Sequence, residues 1–153
     1  LFSYPLKNCA KSTFRKKYFY SAVSKTAFMG GLHHVKFSVL NSKNHFKVGV
    51  TKKVDSDILK TSFSDSDNGF AFFSIGQTRQ GSSFSGMPLF DRLPLEGTIC
   101  IDMIVSMGDG RIYFCLNGLE ELAFEEEALK EGPLYVAVAC SDAVEEIKII
   151  TIS

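Results

Sequence analysis

Catalysis or metal binding in this chain would have to draw on three histidines, His33, His34 and His45, or on the acidic runs Glu125–Glu127 and Glu145–Glu146. His33 and His34 are adjacent, so on a strand they point to opposite faces and cannot chelate one ion together. No metal site is expected. A glycosidase needs two carboxylates facing one cleft about 5–10 Å apart. Glu125, Glu126 and Glu127 are contiguous, and Glu145 and Glu146 split across a sheet, so both runs read as solvated acidic edges. The stretch from Gly81 to Gly86 is flexible but lacks the lysine and following helix of a phosphate loop, and no Gly-x-Ser-x-Gly occurs. Neither enzymatic activity, catalytic residues nor a cofactor is expected. A sugar-stacking site is disfavoured because the chain has no Trp, although Tyr or Phe could substitute.

Binding chemistry is better represented. Net charge is zero, yet residues 1–54 hold eleven bases and no acid, while residues 55–153 hold seventeen acids and six bases. Basic and acidic strands can neutralise each other in the fold. The alternative is a basic surface for nucleic acid or anionic lipid headgroups. Cys9, Cys100, Cys115 and Cys140 contain no Cys-x-x-Cys, and three fall in apolar strand-like runs. They read as buried free thiols of an intracellular protein, cytoplasmic or nuclear. No apolar run approaches the roughly 18 residues of a transmembrane segment. The first residues lack the apolar core of a signal peptide, and without an initiator Met the chain reads as an excised domain or processed fragment. Its 153 residues suit a single domain that needs no disulfide or metal to fold.

The elements that would carry a binding surface are short strands. Gly110 to Gly118 alternates Ile112, Phe114 and Leu116 with Arg111, Tyr113 and Cys115, the period of a half-buried strand. Asn117-Gly118 then signals a turn, because both residues tolerate positive φ. Thr98 to Ser106 places Ile99, Ile101, Met103 and Val105 on one face. Pairing Val105 with Ile112, Met103 with Phe114 and Ile101 with Leu116 puts every apolar pair on one side. The other face, with Cys100, Asp102, Ile104, Tyr113 and Cys115, is only partly polar and is expected to be covered as well. His34 to Leu40 and Phe46 to Val50 both alternate around the polar stretch Asn41 to Asn44, so residues 34–50 are expected to form an antiparallel hairpin. Phe70 to Ile75, Leu134 to Cys140 and Ile147 to Ile152 are further strands, and Glu125 to Lys130 is expected to form one helical turn. Lys52 to Asn68 is a long polar loop, a common place for binding residues. Residues 1–29, rich in Lys, Arg and aromatics, form a basic arm or first strand packed on a domain spanning 30–153. Many short strands with no long amphipathic helix indicate an all-β sandwich or barrel.

The segment from Val105 to Gly118 resembles the SPRY (B30.2-like) signature, in which a strand turns through Gly into a second strand ending Phe-x-x-Asn-Gly. Three more pieces follow the family's order. His34 to Val39 resembles its early strand, Phe46 to Val50 its Val-Gly-Val strand, and Pro133 to Val138 its late Leu-Tyr-Pro-x-Val strand. His34 stands where the family has Trp, Ser106 where it has Asp, and Val136 where it has Pro. The resemblance spans about residues 30 to 152 and marks a divergent member.

The resemblance implies a concanavalin-like β-sandwich of two antiparallel sheets. It also implies a non-catalytic module that recognises a protein or short peptide, serving as the targeting or scaffolding part of a larger protein. The family's peptide pocket falls here on Thr51, Lys52 and Lys53, on Thr61, Ser62, Phe63 and Ser64, and on Ser141 and Asp142. Arg79 is added from the residues themselves, since Arg is favoured at interface hot spots. Lys52-Lys53 suggests an acidic or phosphorylated partner.

Overall fold

The computed structural model describes residues 19–42, 45–81, 83–84, 89–90, 96–140 and 144–152. Eleven strands form among them: β1 (Tyr20–Phe28), β2 (Leu32–Ser42), β3 (Phe46–Thr51), β4 (Gly69–Phe73), β5 (Gln77–Gln80), β6 (Ser83–Phe84), β7 (Glu96–Ser106), β8 (Arg111–Leu116), β9 (Leu119–Glu125), β10 (Leu134–Cys140) and β11 (Val144–Ile152). They make two antiparallel sheets. Sheet A has six strands in the order β1-β10-β3-β4-β5-β6, and sheet B has five in the order β11-β2-β7-β8-β9. The expected β-sandwich is therefore the observed architecture.

Alternation explains the core between the sheets. Phe46, Val48 and Val50 of β3, Phe70 and Phe72 of β4, and Val136 and Val138 of β10 face inward from sheet A. Val35, Phe37 and Val39 of β2, Ile101, Met103 and Val105 of β7, and Ile112 and Phe114 of β8 meet them from sheet B. Phe72 is the hub, with ring centroids 5.4 Å from Phe114 and 5.7 Å from Phe90. Each fully buried side chain of this size contributes about 1.5–3 kcal/mol.

The β7–β8 register is the expected one: Val105 pairs with Ile112 and Met103 with Phe114. Asn117 (φ 53°) and Gly118 (φ 80°) both take the left-handed conformation between β8 and β9. Two positive φ values in a row suit the twist of a tight hairpin. The helical turn also forms, as a 3₁₀ turn at Glu127–Lys130.

Three expectations are corrected. Residues 34–50 are not a hairpin, because β2 pairs with β7 and β11 in sheet B while β3 pairs with β10 and β4 in sheet A. Alternation shows that each strand has a buried face; here the two faces meet across the core from opposite sheets. The outer face of β7 and β8 is not covered by any described residue: Cys100 is exposed, and Asp102, Ile104, Tyr113 and Cys115 are partly exposed. The thiols follow from this, since only Cys140 is buried, Cys100 and Cys115 sit on that open face, and Cys9 lies outside the described residues. None of the three described cysteines forms a disulfide.

Candidate functional site

The stretch between β3 and β4 lies over the outer face of sheet A. It contains one helical turn, Ser56–Leu59, and one 3₁₀ turn, Phe63–Asp65. Small outward residues on the sheet make room for it. Phe63 is fully buried against Val23 of β1, Ala71 of β4 and Ala137 and Ala139 of β10. Gly69 allows the closest approach: a Cβ there would lie 1.9 Å from the Phe63 carbonyl oxygen.

Polar contacts hold the stretch at both ends and in the middle. At its base the Lys52 amide donates to the Asn68 carbonyl at 2.9 Å, and Lys52 Nζ donates to the carbonyls of Ala128 and Glu131 beside the second 3₁₀ turn. Thr51 is buried, and its Oγ1 donates to the Lys53 carbonyl at 3.0 Å. In the middle, Ser21 Oγ donates to the Thr61 carbonyl at 2.6 Å and accepts from the Phe63 amide at 2.9 Å. At the far side the Gly81 amide donates to the Ser64 carbonyl at 2.7 Å. Beneath it Lys47 Nζ donates to Ser62 Oγ at 2.8 Å. Burial pushes the Lys47 ammonium down to a pKa of about 8; nearby Arg79 pushes the same way and Asp65 opposes both.

Against this frame the stretch forms a pocket of about 290 Å³ lined by Lys53, Asp55, Asp57, Thr61, Ser62, Asp65, Ser66 and Asn68. That is at the lower edge of the size range of ligand sites. Three Asp face one Lys. Local bonds shape the wall: Asp55 Oδ1 accepts from the Asp57 amide at 3.0 Å, and Thr61 Oγ1 donates to the Asp57 carbonyl at 3.1 Å. Arg79 lies 4.0 Å from Asp65 and donates from Nε to the Gly81 carbonyl at 3.2 Å.

The expected site residues divide accordingly. Lys53, Thr61 and Ser62 line the pocket. Thr51, Phe63 and Ser64 are buried and position it without presenting side chains to solvent. Lys52 anchors its base, and Arg79 stands behind Asp65. Ser141 and Asp142 lie outside the described residues. Asp55, Asp57 and Asp65 were not singled out by sequence reasoning, because scattered Asp in a Ser-rich stretch looks like an ordinary solvated loop. Lys47 was missed for a different reason: alternation places it outward, where a lysine normally meets water. The one signal was Phe63, an aromatic inside a long polar run.

Of the eleven bases before Asp55, five lie among the described residues. Lys47 is buried on the outer side of sheet A, Lys36 lies on sheet B 4.0 Å from Asp102, and Lys52 bonds two carbonyls. The histidines also stay apart. His33 stacks on Phe28 at 3.8 Å between centroids, His34 Nε2 lies 2.9 Å from Asp102, and His45 Nδ1 lies 3.3 Å from Ser74 Oγ. No group of three or more His, Cys, Asp or Glu among the described residues is placed to hold a metal ion. No helix of the described residues is long and apolar enough to cross a membrane.

No family model and no curated protein matches the sequence. Solved structures do resemble the fold. The SPRY domain of human HERC1 is 20% identical with a TM-score of 0.70, covering 88% of this chain and 83% of that one. The TRIM65 PSpry domain is 11% identical with a TM-score of 0.61, covering 86% of this chain and 70% of that one. The stonustoxin structure is 12% identical with a TM-score of 0.58, and the match takes in 85% of this chain but only 20% of that one. At these identities the likeness is one of architecture, and the fold of this chain is the SPRY-type β-sandwich.

Proposed function

We propose that the chain is a non-catalytic recognition module that holds a protein segment or short peptide in the pocket over sheet A, as the targeting or scaffolding part of a larger protein. The observation that carries this reading is the pocket on a loop stretch tied down at its base, middle and far side. Ordered loops on a rigid sandwich are the usual place for recognition residues. A preformed wall also lowers the ordering cost of binding. The likeness to SPRY domains supports the same reading.

The charge of the lining changes the class of partner. Lys52-Lys53 suggested an acidic or phosphorylated one, but the Lys52 ammonium is engaged by the carbonyls of Ala128 and Glu131. The remaining Lys53 faces Asp55 and Asp57, while Asp65 is shared with Arg79 at 4.0 Å. Coulomb attraction in such a lining favours a Lys or Arg side chain from the partner. The unpaired thiol of exposed Cys100 is in keeping with work inside the cell.

The test is a displayed library of random peptides selected on the whole chain. Enriched sequences carrying Lys or Arg are expected. Their affinity should fall at least about tenfold, or about 1.4 kcal/mol, in the triple variant Asp55→Asn, Asp57→Asn, Asp65→Asn. Peptides that bind this variant at full strength would remove the pocket from the account.

A further inference from the structure

Lys47 occupies an unusual position for an ammonium. Its residue is 1% exposed, yet it sits on the outward side of β3, beside Ala139 of β10 and Phe73 of β4. Nζ lies 4.4 Å from the ring centroid of Phe19 and 4.9 Å from that of Phe73. The charged groups acting on it are Asp65 on the 3₁₀ turn and Arg79 on β5, and these two also face each other at 4.0 Å. His45 touches Phe73 with centroids 5.6 Å apart. Among the described residues Lys47 thus meets two ring faces and one hydroxyl, and it feels the charge of the Asp65 carboxylate, which also faces Arg79. A buried charge is costly unless it is well paired, so this setting eases loss of the proton.

The hydroxyl it meets belongs to the pocket wall. Lys47 Nζ donates to Ser62 Oγ at 2.8 Å, and Ser62 Oγ lies 3.0 Å from Ser64 Oγ. The Asp65 amide donates to the Ser62 carbonyl at 3.0 Å. With the ammonium protonated, Ser62 Oγ must accept from it and can turn its own hydrogen toward Ser64. A neutral amine has a lone pair and can accept from Ser62 instead, which reverses that short chain of bonds. The proton leaves to solvent and no covalent bond changes.

We propose that Lys47 is the positioning residue of the pocket: its ammonium, set between Phe19 and Phe73, holds Ser62 and through it the wall that ends at Asp65, and loss of its proton rearranges that wall. The movement of the wall needs no ligand; only its effect on affinity rests on the proposed function.

Carbon-detected NMR of the whole chain from pH 6.5 to 10 tests this by following Lys47 Cε together with the Cβ resonances of Ser62 and Ser64. The three are expected to titrate together with a midpoint near 8. The serine resonances should stay flat in Lys47→Met and in Lys47→Arg. Should either variant fail to fold, the wild-type titration decides alone. Serines that stay still while Lys47 titrates, or that titrate equally in Lys47→Met, would overturn the proposal, as would a Lys47 midpoint at the ordinary 10.5. The sign of the stability effect is also determined. Between about 8 and 10.5 the unfolded chain keeps a proton that the native chain has shed. Wild-type stability relative to Lys47→Met must therefore rise with pH across that window, and a fall would count against the assignment. A wall that titrates with Lys47 while no peptide binds supports the positioning role and speaks against the binding reading alone.

Discussion

The outer faces of the two sheets meet water in opposite ways. Sheet A carries part of its own chain, with Phe63 pressed onto Val23, Ala71, Ala137 and Ala139. Sheet B presents its outer face bare among the described residues, with Leu122 45% exposed and Ile150 51% exposed. The difference begins in residue size. Alanine and glycine on the outward side of β3, β4 and β10 leave a shallow bed that an aromatic ring can fill. On sheet B the outward positions hold His34, Lys36, Asp102, Tyr113 and Arg111, which pair with one another and with Glu125 across the strands. Burial, followed by the charges of Asp102 and Glu120, pushes the Cys115 thiol up, so this face has no activated thiolate there. The covered face has a shaped pocket with anchored walls; the bare face has a charge-laced surface.

The largest effect should come from removing the plug. Phe63→Ala is expected to lose about 3–5 kcal/mol in chemical denaturation, in line with other buried Phe truncations. It should also speed hydrogen exchange through residues 53–68. A loss under about 1 kcal/mol would mean that the stretch is not packed on sheet A as described. Next, Gly69→Ala must push the Phe63 backbone away, because its Cβ would meet the carbonyl oxygen at 1.9 Å. A loss of about 1–3 kcal/mol is expected, of the kind seen on overpacking, with peptide affinity reduced in the same variant. Lys52→Met frees the carbonyls of Ala128 and Glu131 at a partly exposed site and should cost about 1 kcal/mol. Its signature is faster amide exchange at the base of the stretch and not in the core. Smallest is Leu122→Ser on the bare face, expected within about 0.5 kcal/mol of wild type and without effect on peptide binding. A large loss there would show that sheet B has a cover too, and the contrast between the faces would fail.

How much of this was legible depended on how each strand is buried. β7 and β8 could be read with their register because Ile99 to Val105 and Ile112 to Leu116 each bury one face and leave the other half open. β9 went unread: Leu119-Glu120-Glu121-Leu122-Ala123-Phe124-Glu125 is an edge strand with a bulge opposite Ile112 and Tyr113, and both interrupt alternation. β2 and β3 were legible as strands but not as members of different sheets. A buried face looks the same whichever side of the core it comes from. The pocket was legible only as a region. Residues 51–53 and 61–64 fall on its frame and rim through the family resemblance, whereas its carboxylates and Lys47 depend on tertiary placement that no local pattern encodes.

The proposed recognition takes place on the covered face. Hydrogen exchange of the whole chain with and without a selected peptide tests it most directly. New protection is expected across residues 53–68, fading in the Asp55→Asn, Asp57→Asn, Asp65→Asn variant, with β8 and β9 unchanged. Protection that appears on β8 and β9 instead, leaving residues 53–68 as they were, would contradict it.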